Sequence, residues 1–398
     1  MPALILGSGL TALGVTRILG RAGIPAYGDG HAPELERHSR WYRSAPSVTS
    51  PDDFTAWLNA LPFERAVLIP CSDQWTSRVA QLPPELRERF PASVPAPDTI
   101  EQLVDKAKFA AALAAAGVDH PRTTPLPLNL ANLDNLAHLD NELFAGAFLK
   151  PCDSQAFFAR FKVKGLRVGS RDEAARHLAA IAPTGLAMIL QEYVPGPSDR
   201  HYLVDGYVDR SGEVRVVFAR RRLRMYPPDF GNSSCMVSVP LDQVAGAVSG
   251  TVRLLRHLGY RGIFSAEFKQ DERDGVFRML EVNARPWWYV EFAARCGADV
   301  VGPAYRDALG LPVTTTEHYE VGRYMVYPYY DRYAALAAWR AGRLSVGDWA
   351  RSWLRGYQPV FVWDDPFPAW EVSLATLGRW LGRRFGRRET GDGTGTSG

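Results

Sequence analysis

Residues 262–286, GIFSAEFKQDERDGVFRMLEVNARP, constrain this chain more than any other stretch. Two apolar runs, 263–268 and 276–282, flank a polar segment rich in turn formers, 270–275, which is the pattern of a β-hairpin. Glu281 and Asn283 stand two residues apart, so on an extended strand they project from one face. Glu267, on the preceding strand, reaches that face if the register allows. Two carboxylates and an amide oxygen on one face suit a hard cation such as Mg²⁺, which prefers oxygen and completes its shell with waters and substrate phosphates. Arg285 follows, placed for an anion beside the metal. The alternative is a solvated hairpin edge, where Glu and Asn are ordinary.

At 398 residues the chain is long enough for two or three lobes. Its 46% apolar content is that of a globular protein, and no run of about 18 apolar residues predicts a membrane span. The opening MPALILGSGL has no basic leader before its apolar run and reads as a first strand, not a signal peptide. A net charge of +3 gives no argument for nucleic acid. Cys71, Cys152, Cys235 and Cys296 are scattered, which favours reduced thiols and a cytoplasmic protein over disulfides or zinc.

Residues 3–9, a helical pattern over 10–21 and a second strand at 24–27 form βαβ grammar. Gly7-x-Gly9-x-x-Ala12 with Asp29 fits a dinucleotide fingerprint, so a nicotinamide-dependent oxidoreductase is a rival reading; the bland one is close strand–helix packing. Asp73, at the end of a strand over 67–70, is a candidate substrate contact or a helix N-cap. A proline-rich boundary at 83–97 precedes one predicted helix over 100–116, within which Lys106 stands in DKAKF. A polar connector over 123–141 leads to AFLKP, whose Lys150 ends an apolar strand; a lysine there needs an anion beside it to offset desolvation. MILQEYVPG, 188–196, is a strand running into a turn. A hairpin over 202–219 precedes RRRLR, 220–224, which calls for a polyanion or for paired carboxylates. The turn-rich YPPDFGNSS, 226–234, and a helix over 241–258 lead into the hairpin. Beyond it come an aromatic WWY, a predicted helix over 293–309, two more over 331–342 and 346–355, and WDDPFPAW at 363–370. The last predicted helix, 370–386, carries Arg379, Arg383, Arg384, Arg387 and Arg388, read as a solvated basic end with an anionic membrane surface as the alternative.

SAEF with LEVNARP, DKAKF, AFLKP and QEYVPG, in this order, resemble the ATP-grasp ligases over residues 1–370, in the carboxylate–amine branch that is D-aspartate ligase-like or carbamoyl-phosphate-synthase-like. The resemblance implies an α/β (α+β) chain. Its parts would be a Rossmann-like lobe (1–97), a central and lid lobe (98–200), a lobe with the metal hairpin (201–312), a helical, aromatic-rich extension (313–388) and a disordered tail (389–398). It implies Glu267, Glu281 and Asn283 as metal ligands, Lys106 and Lys150 on ATP phosphates, and Gln191, Glu192 and Val194 around adenine. Asp199 falls at the ribose, where the family usually has Glu, and Lys150 and Arg285 would act in catalysis. The chemistry implied is amide or peptide bond formation through an acylphosphate, with ATP and Mg²⁺ (or Mn²⁺). Partners would be small carboxylate and amine substrates, with neither nucleic acid nor a membrane span, in a chain that can form a homodimer. A non-catalytic ATP-binding relative is the other alternative. The segment 152–164, the expected lid, departs from the family in having no glycine before Gly165.

Overall fold

The computed structural model describes residues 1–29, 35–46, 53–126, 136, 139–227 and 231–372. Most of the 123–141 connector, Pro228–Phe230 of the YPPDFGNSS loop, and the basic end and tail beyond 372 lie outside the described residues.

The first four strands, β1 (Ala3–Leu6), β2 (Ala26–Gly28), β3 (Tyr42–Ser44) and β4 (Val67–Pro70), form a parallel sheet in the order β3-β2-β1-β4. The chain runs outward from β1 and then returns to its other side, so the topological switch point lies between the carboxyl ends of β1 and β4. Gly7 bends away from β1 with φ +113°, and a Cβ there would stand 3.3 Å from the Trp75 ring. Glycine is what allows the helix Gly9–Arg21 to follow at once.

Strands β5 (Thr123–Leu126), β6 (Ala147–Pro151), β7 (Leu166–Val168) and β8 (Met188–Gln191) make an antiparallel sheet, β5-β8-β6-β7. Leu149, Val168, Met188 and Leu190 pack on Phe157 and on Ala174, Leu178 and Ile181 of the helix Arg171–Ile181.

The third sheet has seven strands: β9 (His201–Val208), β10 (Val214–Tyr226), β11 (Asn232–Ser238), β12 (Gly262–Gln270), β13 (Phe277–Asn283), β14 (Tyr324–Val326) and β15 (Gly356–Tyr357), ordered β13-β12-β9-β10-β11-β14-β15. The predicted hairpin is β12–β13, and the basic run is the distal half of β10. Alternation assigns the faces. Leu203 and Tyr207 join the core shared with β1 and the helix Gly9–Arg21. Tyr202, Val204 and Val208 meet the helices Lys106–Ala115 and Ala245–His257.

Two expected helices are broken. The helix predicted over 100–116 is two, Pro97–Val104 and Lys106–Ala115, because Asp105 leaves helical geometry and caps the amides of Ala107 (2.8 Å) and Lys108 (3.0 Å). That over 293–309 is Val290–Arg295 and Val301–Ala308, separated by Gly297 at φ +97°.

The C-terminal extension is held to the first lobe by Arg17, whose side chain is fully buried. Its Nε donates to Asp365 (2.9 Å), Nη1 to Glu291 (3.3 Å) and the Pro359 carbonyl (2.8 Å), and Nη2 to the carbonyls of Val360 (2.9 Å) and Asp365 (3.0 Å). A guanidinium has five N–H donors, and here all five are used. Removing one partner strands a buried charge. Asp365→Ala is expected to lower unfolding stability by about 3–5 kcal/mol, read from the urea midpoint; an unchanged midpoint would show that other contacts hold the extension.

Candidate active site

The three sheets surround an open cleft of about 1620 Å³. Into it β12 projects Glu267 and β13 projects Glu281 and Asn283; in the register Glu267 is directly opposite Glu281, and Asn283 is opposite Ser265. Cross-strand partners share a face, so the three expected metal ligands line one wall. The Asn283 amide donates to Glu281 Oε1 (3.1 Å), and its oxygen accepts from Arg285 (3.1 Å). Glu267 Oε1 accepts from Arg222 Nη2 (3.1 Å) and lies 2.9 Å from His201 Nδ1. Burial alone would raise the Glu267 carboxyl, but Arg222 and His201 outweigh it and hold it well below the usual carboxylate range. Burial lowers the His201 imidazole, against the pull of Glu267. Among the described residues Oε2 of neither glutamate has a hydrogen-bond partner. Two like charges face each other with an oxygen to spare on each, a donor set suited to a hard divalent cation.

Two lysines enter the same cleft. Lys106 is the first residue of its helix, directly after the Asp105 cap. Lys150 sits near the end of β6, and its Nζ donates to Gln191 Oε1 (2.7 Å). The Lys150 ammonium is lowered to about 8, first by burial and then by Lys106, against the opposing fields of Glu281 and Glu267. Lys150 therefore lies within the field of Lys106, Glu281 and Glu267.

Strand β8 and the turn after it line the far wall. Gln191 is clamped, accepting from Lys150 and donating to Thr123 Oγ1 (3.0 Å). Glu192 accepts from the Arg122 amide (3.1 Å) and pairs with Arg273 (2.7 Å). Val194 is buried, and Tyr193 stands 5.7 Å from the Phe148 ring. Asp199 is set apart from these. It pairs with Arg221 (2.7 Å) and is not among the residues lining the cleft.

Arg285 bridges two lobes. Its Nε and Nη2 meet both carboxylate oxygens of Asp73 (2.9 and 3.2 Å) at the switch point of the parallel sheet. Ser72, not Asp73, caps the helix Asp73–Ala80, leaving Asp73 to the cleft. The glycine turn beside it is taken by acids: the Gly7 amide donates to Asp29 (3.1 Å) and the Gly9 amide to Glu36 (2.9 Å). The amides a pyrophosphate would need are thus already bonded to carboxylates, against the nicotinamide reading.

The basic run finds paired carboxylates. Arg220 meets Asp205 (2.5 Å), Arg221 meets Asp199, and Arg224 meets Asp331 (2.7 Å). Arg222 alone of the run lines the cleft. The segment expected to be a glycine-poor loop over 152–164 contains a helix, Ser154–Phe161. His201, Arg222 and Lys269 of this wall carry no motif of their own; His201 opposite Lys269 is fixed by the β9–β12 register, which the sequence does not encode locally.

No family model matches the chain. It is 26% identical over 230 residues to a D-aspartate ligase of Enterococcus faecium (strain Aus0004), a stretch that is 56% of this chain and 53% of that protein. The chain thus spans about half the length of the curated relative it matches. Among solved structures it is similar to the biotin carboxylase domain of Hydrogenobacter thermophilus 2-oxoglutarate carboxylase, crystallised with MgADP, ADP and bicarbonate. The TM-score is 0.61 at 17% identity, covering 81% of this chain and 73% of that one. It is also similar to an L-amino acid ligase from Bacillus licheniformis, with TM-score 0.58 and 15% identity over 81% of this chain and 78% of that one. Sheet order, the cross-strand hairpin and these likenesses agree on the fold, which is the ATP-grasp fold.

Proposed function

We propose that the chain is an ATP-dependent carboxylate–amine ligase that forms an amide or peptide bond through an acylphosphate. The observation that carries this reading is the shared cleft lined by Lys106, Lys150, Glu267, Glu281 and Asn283, with Glu267 directly opposite Glu281. A carboxylate oxygen attacks the γ-phosphorus of ATP and ADP leaves. The amine then attacks the acyl carbon, phosphate departs, and the nitrogen gives up a proton. Carboxylate and amine alone do not condense in water, so the phosphoryl group supplies the leaving group.

In this reading Glu267, Glu281 and Asn283 hold Mg²⁺, or Mn²⁺, which when bound neutralises charge on the phosphate oxygens. Lys106 and Lys150 pair with the phosphates. Gln191, Glu192 and Val194 surround the base, and Asp199 reaches a ribose only by leaving Arg221. Arg285 takes the substrate carboxylate or the transferring phosphoryl group in exchange for Asp73. His201 and Arg222 orient Glu267. The relative's printed name, D-aspartate ligase, favours an amino acid or peptide among the substrates, and a cytoplasmic homodimer belongs to the same proposal.

ADP release from Mg²⁺-ATP, screened against amino acids, peptides and small carboxylates singly and in pairs, tests the reading. Release that needs a carboxylate and rises with an amine is the expected result; ATP bound without turnover in any pair would favour the non-catalytic relative. Glu281→Gln is expected to reduce ADP release by about 10²–10³. Without metal the same change removes a like charge facing Glu267 and should stabilise the fold by roughly 0.2–1 kcal/mol, seen as a raised melting temperature. A pH profile adds a third test. Because the Lys150 ammonium is lowered to about 8, kcat/KM for ATP should fall as the pH rises through that value. Saturating ATP, by pairing with the ammonium, should move the fall in kcat to higher pH, and a profile flat to pH 10 would remove Lys150 from the phosphates.

A further inference from the structure

Strands β5, β8 and β6 present a row of side chains to the cleft. Thr123 stands directly opposite Gln191, and Gln191 opposite Phe148, in the two antiparallel registers. Lys150 lies two residues beyond Phe148, so strand alternation returns it to the same face. All four line the cleft.

Hydrogen bonds run along this row in one direction. The Pro121 carbonyl can only accept, and the Thr123 hydroxyl donates its one proton to it (2.9 Å). What the Thr123 oxygen has left for Gln191 is a lone pair, which takes Nε2 (3.0 Å). The Gln191 amide is thereby oriented with Oε1 toward Lys150, whose Nζ donates to it (2.7 Å). With the amide reversed, its N–H groups would face the ammonium, and its oxygen would face a hydroxyl whose proton is already committed. Gln191 is buried, so a reversed amide would have little water to compensate it. The ammonium needs that oxygen, which is its one hydrogen-bond acceptor among the described residues. The other groups that act on it are Lys106 from the helix Lys106–Ala115, Glu267 from β12, Glu281 from β13, and the Phe148 ring 5.6 Å from Nζ.

We infer that Thr123 is a positioning residue for polyphosphate: by orienting Gln191 it holds the Lys150 ammonium, in its charged form, at the phosphates of a bound nucleoside triphosphate. The inference rests on the proposed reading of the cleft as an ATP site, and it gives Gln191, on the wall assigned to the base, a task at the phosphate end. Hydrogen bonds to a charged group are among the stronger ones, and a buried ammonium keeps its proton more readily with such an acceptor than without.

The test is calorimetric binding of magnesium β,γ-imido-ATP to the full chain from about pH 6 to about pH 10, which needs neither acceptor substrate nor turnover. For the parent, affinity should fall as the pH rises through about 8, where the free Lys150 ammonium loses its proton. Thr123→Val keeps the branched shape and removes the lone pair that orients Gln191. The ammonium then loses its acceptor and holds its proton less tightly, so the fall begins at lower pH and affinity at neutral pH is about tenfold weaker. Thr123→Ser restores the hydroxyl and should bind as the parent does. Gln191→Glu sets a carboxylate on the ammonium and should move the fall to higher pH, an opposite displacement that tests the inference even where the valine variant does not fold. Thr123→Val binding as the parent does, or more weakly by one factor at every pH, overturns the inference. So does Gln191→Glu leaving the fall in place, or a parent that binds no nucleotide. The expected binding in a chain that releases no ADP with any carboxylate and amine would remove the ligase reading and leave this inference standing.

Discussion

A guanidinium removed from all water holds this molecule in one piece. Arg17 fills its five donors from two distant segments: Asp365 and the carbonyls of Pro359, Val360 and Asp365 in the extension, and Glu291 behind the hairpin. Glu291 is itself shared with Arg21 (2.8 Å), Arg295 (3.0 Å) and Tyr357 (2.5 Å). The helix that carries Glu291 follows within a few residues of Arg285. The network that locks the extension therefore also fixes the outlet of β13, and with it the Arg285–Asp73 bridge between lobes. An ionic cluster this deep adds little net stability over an apolar one, but it tolerates few alternative arrangements.

The same logic explains the basic run on β10. Strand alternation puts Arg220 and Arg222 on the face that meets the parallel-sheet lobe, with Arg221 on the other, and each has its own carboxylate. Read as sequence, four arginines within five residues suggest a ligand. In the fold most of that charge is internal counter-charge, and the strand's contribution to the cleft is the single guanidinium of Arg222, spent on fixing one oxygen of Glu267.

What was legible beforehand was what is encoded locally. The β12–β13 hairpin follows from its alternation and turn residues, the end of β6 from AFLKP, and the βαβ opening from its glycines. The register that sets Glu267 opposite Glu281 was only a condition, because pairing is decided by the whole sheet. The break at Asp105 has no local signal, because an alanine-rich helical period runs through it. A cap wins there because the Asp105 carboxylate satisfies two amides, which also moves Lys106 from the middle of a helix to its first residue. The Arg17 network spans most of the chain in sequence, and no local pattern announces it. His201 is in the same position, since its role depends on a neighbour 66 residues away.

The cleft is unusual in leaving both signs of charge poorly matched. Two carboxylates face each other across β12–β13, and two lysines stand close enough that one lowers the other. These are places where like meets like. Moving a lysine onto a glutamate would relieve both conflicts at once, yet Lys150 is held by Gln191 and Glu267 by Arg222 and His201. Neutral and structural partners thus keep the four charged groups from collapsing on one another. On the proposed reading, a metal–polyphosphate complex presents a cation to the carboxylates and anionic oxygens to the lysines, so it meets both unmatched sets together. Metal alone would meet the first set and leave the lysines facing each other, and polyphosphate alone would be repelled by the carboxylates. On that reading the preference for the combined ligand follows from how the charged side chains are arranged around the cleft.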